Sequence, residues 1–528
     1  MAAETAGALA AGKAGVASTQ RRRSLGELVS ISLFWYALNL IWAALPIFIV
    51  PAQVVGLLYQ AAPSGVSASD WVAAREALTL ATVLAPGLIV ALIANPLFGL
   101  LSDRTPGRLG RRRPYIVGGT LLNVVGLLVM AFGPSLFNAD HSGLVLSPGV
   151  WVLIGGLMLT QLANNAAAAP FHALLPDMVP EEQRGLSSGI MGIAYWLGTI
   201  SGSIFPFVFD LDFTSLLAGK QGFDTLQHGI VQAYFAIIVV IVVMAILTAV
   251  LVHEPAAPPE QLVASSDERT VVRDLLLTVL AVIVVAAAPL LVISSLFHAT
   301  TNDGIVNGLT AIAAIVAGIG AARAFGFHPR RNPDFSWVVL TRMLLMVGVY
   351  IVLSFLSYYM ADVAHAPPTA TGEFLILMTI TATLSTTVSG WASDRIGRKR
   401  LVYIAGTFMA VVGAAFVLAP YIVPGHVLPL ALAAAAVFGL GFGAYISVDW
   451  ALVADVLPSQ ASFACDMGVW NIGITIAGAT GAIIGGWLLT IGRNLVSPTF
   501  GYTLLFAGFV FFAVLGTVTI SNIKGVKR

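Results

Sequence analysis

One cysteine, Cys465, in 528 residues excludes an internal disulfide framework and a multi-cysteine metal site. Charge is nearly as scarce. Asp, Glu, Lys and Arg make up 10% of the chain, against about 25% in ordinary soluble domains. With 58% hydrophobic residues, too little polar surface remains to coat a water-soluble protein of this size. A net charge of +1 points to no nucleic-acid partner. Nucleotide-binding loops, metal-ligand clusters and a nucleophile paired with a base are all lacking, so neither an enzyme nor a bound cofactor or metal is expected. What remains is a polytopic membrane protein.

A spanning helix needs roughly 20 mostly apolar residues. Such runs lie near 30–58, 78–101, 115–137, 150–176, 186–209 and 229–252, then near 275–297 and 304–324, and finally near 336–361, 371–393, 401–421, 427–454, 466–490 and 500–521. The expectation is an all-α protein of 14 transmembrane helices. Residues 1–29, rich in Ala, Gly and Ser with Arg21, Arg22 and Arg23 near the end, read as a disordered cytoplasmic tail rather than a signal peptide, because the first apolar run is long enough to span and many more follow. The organisation expected is a six-helix bundle over 30–252, a charged linker over 253–274, an inserted helix pair over 275–324, a second bundle over 336–521 and a tail over 522–528. Of the 26 Lys and Arg, only Arg75, Lys220 and Arg493 fall on the side opposite the N-terminus, and Arg342 sits inside a helix. That asymmetry places both termini in the cytoplasm of a multi-pass plasma-membrane protein.

The chain repeats itself. Gly99-Leu-Leu-Ser102-Asp103-Arg104, followed after four residues by Leu109-Gly110-Arg111-Arg112-Arg113, matches Gly390-Trp-Ala-Ser393-Asp394-Arg395 and Ile396-Gly397-Arg398-Lys399-Arg400. Ala173-Leu-Leu-Pro176-Asp177-Met-Val-Pro180 matches Ala451-Leu-Val-Ala454-Asp455-Val-Leu-Pro458. Two six-helix halves in parallel orientation follow, with the extra pair between them. At these residues the chain resembles the major facilitator superfamily. More narrowly, Ser102 to Ile116, Ala173 to Asp177, and Asp449-Trp450-Ala451-Leu452 are similar to the sucrose–proton symporters and the related glycoside–pentoside–hexuronide transporters. The inserted pair departs from the twelve-helix pattern of that branch.

The resemblance implies a cytoplasmic gate at Asp103, Arg104, Arg111, Arg112, Arg113, Asp394, Arg395 and Arg398, extended to Asp177, Glu181, Arg184 and Asp455. There, carboxylate–guanidinium pairs latch the halves together; the alternative is that the arginines only fix topology. It also implies a cavity lined by the first and fourth helices of each half. Side chains sharing a face on those helices are the candidate substrate contacts: Trp35, Asn39 and Trp42; Gln161, Asn164 and Asn165; Tyr350, Ser354 and Tyr358; Tyr445 and Trp450. Amides and rings suit a neutral polyhydroxylated ligand. For each of them the competing role is interhelix bonding or interfacial anchoring.

Asp449, a carboxylate inside a span, marks an ion or proton pathway. It lies about 9 Å deeper than Asp455 at 1.5 Å per residue. It is the expected binder of the coupling proton, with a structural ion pair to Arg342 as the alternative, and His172 is a second candidate proton site. Several sodium- or proton-coupled sugar carriers of the branch it resembles keep acids in the N-terminal half; here spans 1, 2 and 4 contain none, a departure that counts against sodium coupling and leaves diffusion without an ion open. Glycine lines at Gly192, Gly198 and Gly202, and at Gly473, Gly478, Gly481, Gly485 and Gly486, serve either a rocking interface or static packing. The function expected is proton symport of a sugar or glycoside with alternating access, by a monomer whose partners are substrate, protons and bilayer. The competing readings are a proton-coupled exporter of drugs or metabolites and a non-transporting membrane sensor.

Overall fold

A computed structural model describes residues 21–254 and 315–526, apart from 74–75, 106–109, 138–147, 218, 317, 321, 324, 326, 367–369 and 459–461. Twelve helices among the described residues are long and apolar enough to cross a membrane. They are α1 (Leu25–Gln60), α2 (Pro86–Arg104), α3 (Arg113–Leu136), α4 (Pro148–Met178), α5 (Glu181–Val208), α6 (Phe223–Leu251), α7 (Pro333–Met360), α8 (Ala370–Ile396), α9 (Arg398–Ile422), α10 (Pro424–Val456), α11 (Phe463–Leu495) and α12 (Pro498–Asn522). The helix pair expected within 275–324 lies outside the described residues for nearly all its length.

Packing reproduces the internal repeat. In the first half α1 packs on α5 and α6, and α4 on α2 and α3, with α3 against α6. In the second half α7 packs on α11 and α12, and α10 on α8 and α9, with α9 against α12. The halves meet through α2 with α11 and α5 with α8, which are themselves a related pair of contacts.

Local chemistry sets the helix ends. Ser24 caps α1, its hydroxyl accepting from the Glu27 amide while the Glu27 carboxylate accepts from the Ser24 amide. Midway, α1 widens into a π-helical turn over Leu45–Ile49, with Pro46 inside it and Pro51 just beyond. The motif glycines Gly110 and Gly397 have φ of 89° and 96°, a region that costs other residues strain. Each turns the chain back sharply between two antiparallel spans. Both motif loops lie on one face of the molecule, called here the basic face. Arg23 is tied there to the α4–α5 connection through Gln183 and the Met178 carbonyl. Asp334, at the start of α7, receives the amides of Lys524 and Gly525.

Candidate functional site

At the basic face the two halves grip each other reciprocally. The Asp103 carboxylate, at the end of α2, accepts from the amides of Ala464 (3.2 Å) and Cys465 (3.0 Å) at the start of α11. Asp394, at the end of α8, accepts from the amides of Gly185 (3.0 Å) and Leu186 (3.0 Å) at the start of α5. A carboxylate set on unsatisfied N–H groups at a helix N-terminus is stabilised by both hydrogen bonds and the helix dipole. The motif glycines permit the approach: a Cβ on Gly99 would fall 2.3 Å from the Ala464 carbonyl oxygen, and one on Gly390 2.6 Å from that of Gly185.

The arginines of the first-half motif pair within their own half. Arg112, fully buried, pairs with Asp103 (2.7 Å) and Asp177 (2.9 Å), and Arg111 with Asp177 (3.2 Å), all within the first half. They hold the gripping carboxylate in place from behind. Only the second-half copy reaches across. Asp455 binds Arg184 of the first half (3.1 Å) as well as Arg398, and Arg398 donates to the Glu181 carbonyl. Arg395 lies over the ring of Trp391 on its own helix instead, 3.9 Å from the centroid. Arg113 and Arg104 have no hydrogen-bonded acid on their guanidinium groups among the described residues.

Glu254, unremarked in the sequence, completes the motif. Its carboxylate accepts from three consecutive amides, Arg111 (2.8 Å), Arg112 (3.0 Å) and Arg113 (2.9 Å), at the start of α3. Changing Glu254→Ala is expected to lower stability by about 1–2 kcal/mol, as loss of a helix cap does. Thermal unfolding of the purified protein in detergent checks this, and an unchanged midpoint would show that water replaces the cap.

At the centre, rings from both halves pack into one cluster. Trp35 (α1) meets His172 (α4) at 4.8 Å and Trp450 (α10) at 5.1 Å between ring centroids. Trp450 also meets His172 and Trp470 (α11), each at 4.7 Å. Across the halves, Asn471 (α11) hydrogen-bonds His172 Nδ1 at 2.9 Å. His172 is a central buried residue.

Behind the rings sits a buried ion pair. Arg342 (α7) hydrogen-bonds Asp449 (α10), and both are almost wholly buried. The guanidinium carbon lies 3.4 Å from the ring centroid of Trp470. Tyr445, one turn before Asp449 and fully buried, lies within electrostatic reach of the same carboxylate. The repeat places Phe171 where the second half has Asp449, and His172 where it has Trp450. Phe171 packs edge-on against Phe34 at 5.5 Å. The first half therefore fills with two phenyl rings the level at which the second carries two charges.

Several expected substrate contacts are used in holding the bundle together. Asn164 accepts from Asn123 of α3 at 3.3 Å. Asn165 accepts from Asn95 of α2 at 2.9 Å and donates to the Gln161 carbonyl. Asn39 donates to the Trp35 carbonyl and packs on Gly198. Tyr350 packs on Gly478 and Gly481, while Ser354 and Tyr358 are exposed beyond the cluster. Gln161 is buried with Oε1 unpartnered, and Trp42 is partly buried. Of the substrate set, Trp35, Tyr445 and Trp450 gather around the ion pair. The glycine lines also resolve: Gly198 and Gly202 pack on α1, and Gly473, Gly478, Gly481 and Gly485 on α7, all within one half. The glycines of α5 that meet α8 are Gly185, Gly189 and Gly192.

Two equivalent helical halves, gripped at one face and enclosing a buried charge pair at their junction, define a membrane transport protein rather than an enzyme. The chain belongs to the major facilitator superfamily. A family model described as MFS/sugar transport protein matches residues 70–329, and one described as Major Facilitator Superfamily matches residues 338–524. Among curated proteins, sucrose transport protein SUC3 of Arabidopsis thaliana is 27% identical over 124 residues, 22% of this chain and 21% of that protein. The general alpha-glucoside permease of Schizosaccharomyces pombe is 27% identical over 124 residues, 23% of this chain and 22% of that one. Sucrose transport protein SUT1 of Oryza sativa subsp. japonica is 30% identical over 140 residues, 23% and 26%. The chain thus spans about a quarter of the length of the curated relatives it matches. Among solved structures, the proton:xylose symporter XylE is similar with a TM-score of 0.58 at 15% identity, covering 93% of this chain and 95% of that one. A bacterial homologue of the iron transporter ferroportin in an outward-facing state gives 0.61 at 14%, covering 94% and 98%.

Proposed function

We propose that the protein takes up a sugar or glycoside by proton symport, with the two halves rocking about the central cluster. The observation that carries this reading is the Arg342–Asp449 pair: opposite charges buried against the rings that both halves contribute. A lone carboxylate there would be held neutral, and a lone guanidinium would be costly. Together they form a site that changes charge when one proton arrives at Asp449. Trp35, Trp450 and Tyr445 supply flat faces and a hydroxyl beside it, which suits a sugar ring. The sucrose and alpha-glucoside relatives support the substrate class.

The reciprocal grip at the basic face supports a state closed on that side. With the basic residues in the cytoplasm, as their distribution favours, substrate enters from outside and both termini are cytoplasmic. The reading is of a monomer in the plasma membrane, embedded in lipid.

The test uses proteoliposomes with a trapped pH dye. Mono- and disaccharides are added outside and internal acidification is recorded, with Asp449→Asn in parallel. One sugar is expected to acidify the wild-type lumen and to leave the variant lumen unchanged. Labelled sugar that equilibrates without moving protons in the wild type would make the protein a uniporter and Asp449 structural.

A further inference from the structure

We propose that Trp470 is a positioning residue: its indole face is the second seat of the Arg342 guanidinium and keeps that charge in place while Asp449 is neutral. The proposal rests on the reading of Asp449 as the proton site.

Arg342 is held from two sides. Asp449 takes one edge of the guanidinium, and Trp470 lies against its face, 3.4 Å from ring centroid to guanidinium carbon. The two supports differ in kind. The first is an ion pair that vanishes when the carboxylate is protonated. The second is a cation–π contact that persists when the carboxylate is protonated and counts for more then, because the guanidinium no longer shares its field with an anion; full burial of Trp470 gives it the desolvated setting in which it is strong. Trp470 is itself wedged against Trp450. Its neighbour Asn471 is bonded across the halves to His172, which fixes the helix carrying the ring.

Without the ring, the protonated state would leave an arginine charge buried and unsupported. With it, the charge stays where it is and is ready to take the carboxylate back. The ring therefore lowers the cost of the protonated state more than that of the ion-paired one. The other titratable groups near the pair are Tyr445 on the helix of Asp449, His172 on α4, Tyr195 on α5 and Tyr350 on α7.

The sign follows. Removing the ring face should weaken proton binding at Asp449, moving its titration to lower pH by about one unit, or roughly tenfold. The experiment is pH-difference infrared spectroscopy on the full chain in lipid, which needs no substrate. The carboxylic C=O band that Asp449→Asn removes is followed in wild type, Trp470→Leu and Trp470→Phe. The expected result is a more acidic midpoint in Trp470→Leu and a smaller shift the same way in Trp470→Phe, which keeps a flat face and settles the matter if the leucine variant does not fold. A midpoint unmoved by either change overturns the role of Trp470 alone. A titration range with no band assignable to Asp449 overturns both this role and the proton reading on which it rests.

Discussion

Arg342→Leu will strip most of the folding stability from this protein, and adding Asp449→Leu in the same chain will restore much of it. The single change leaves a carboxylate buried without its counter-charge. Removing one partner of a buried pair costs about 3–5 kcal/mol in proteins where it has been measured, because the remaining group must either stay charged without compensation or take up a proton that it does not hold in the unfolded chain. The double change removes both charges and leaves apolar groups in an already apolar cluster, which is often neutral or stabilising. The first half serves as an internal control, because it fills the same level with Phe34 and Phe171 and packs well. Thermal unfolding of the four proteins in one detergent closes the cycle. A single variant as stable as the wild type would show that Asp449 gives up its charge at little cost in the folded protein. In transport, the double variant is expected to exchange labelled sugar across the bilayer and to accumulate none, since the group that changes charge is gone.

The sequence announced the grip between the halves more clearly than it announced the cluster, for a physical reason. Gly99, Asp103 and Gly110 recur at Gly390, Asp394 and Gly397 because each solves a steric or electrostatic problem that only that residue type solves: close backbone approach, a carboxylate on a helix N-terminus, a positive φ. Such residues are legible one at a time. The cluster is built otherwise. A spacing of four says that Gln161 and Asn165 share a helix face, but not which neighbour that face meets. Helices that are apolar nearly all round carry no pattern to orient them. Asn164 and Asn165 therefore read equally well as ligand contacts and as links to α3 and α2, and the structure shows them bonded to those two helices. Trp470 and Asn471 escaped notice because they lie on α11, outside the four helices assigned to the cavity by resemblance. Asp449 and Arg342 stood out because charge inside a span is costly wherever it faces.

Gly99→Val will open the basic face, and Cys465 will report it. The valine side chain has nowhere to go: its Cβ alone would sit 2.3 Å from the Ala464 carbonyl oxygen and 2.7 Å from the Cys465 amide nitrogen, both main-chain atoms that cannot rotate away. Relief requires α11 to move off α2, and that movement also breaks the bonds from the Ala464 and Cys465 amides to Asp103. Cys465 is the only cysteine of the chain and is buried at this junction, so labelling with a maleimide is unambiguous. The wild type is expected to label slowly and Gly99→Val at least ten times faster, the ratio that about 1.4 kcal/mol of lost closure would produce. The same substitution at the related position, Gly390→Val, strains the α5–α8 grip instead, against the Gly185 carbonyl. It should raise labelling of Cys465 as well, because a rigid half cannot swing at one contact and stay closed at the other. Labelling raised only by the α2 variant would mean that the two grips open separately, and that the halves do not rock as units.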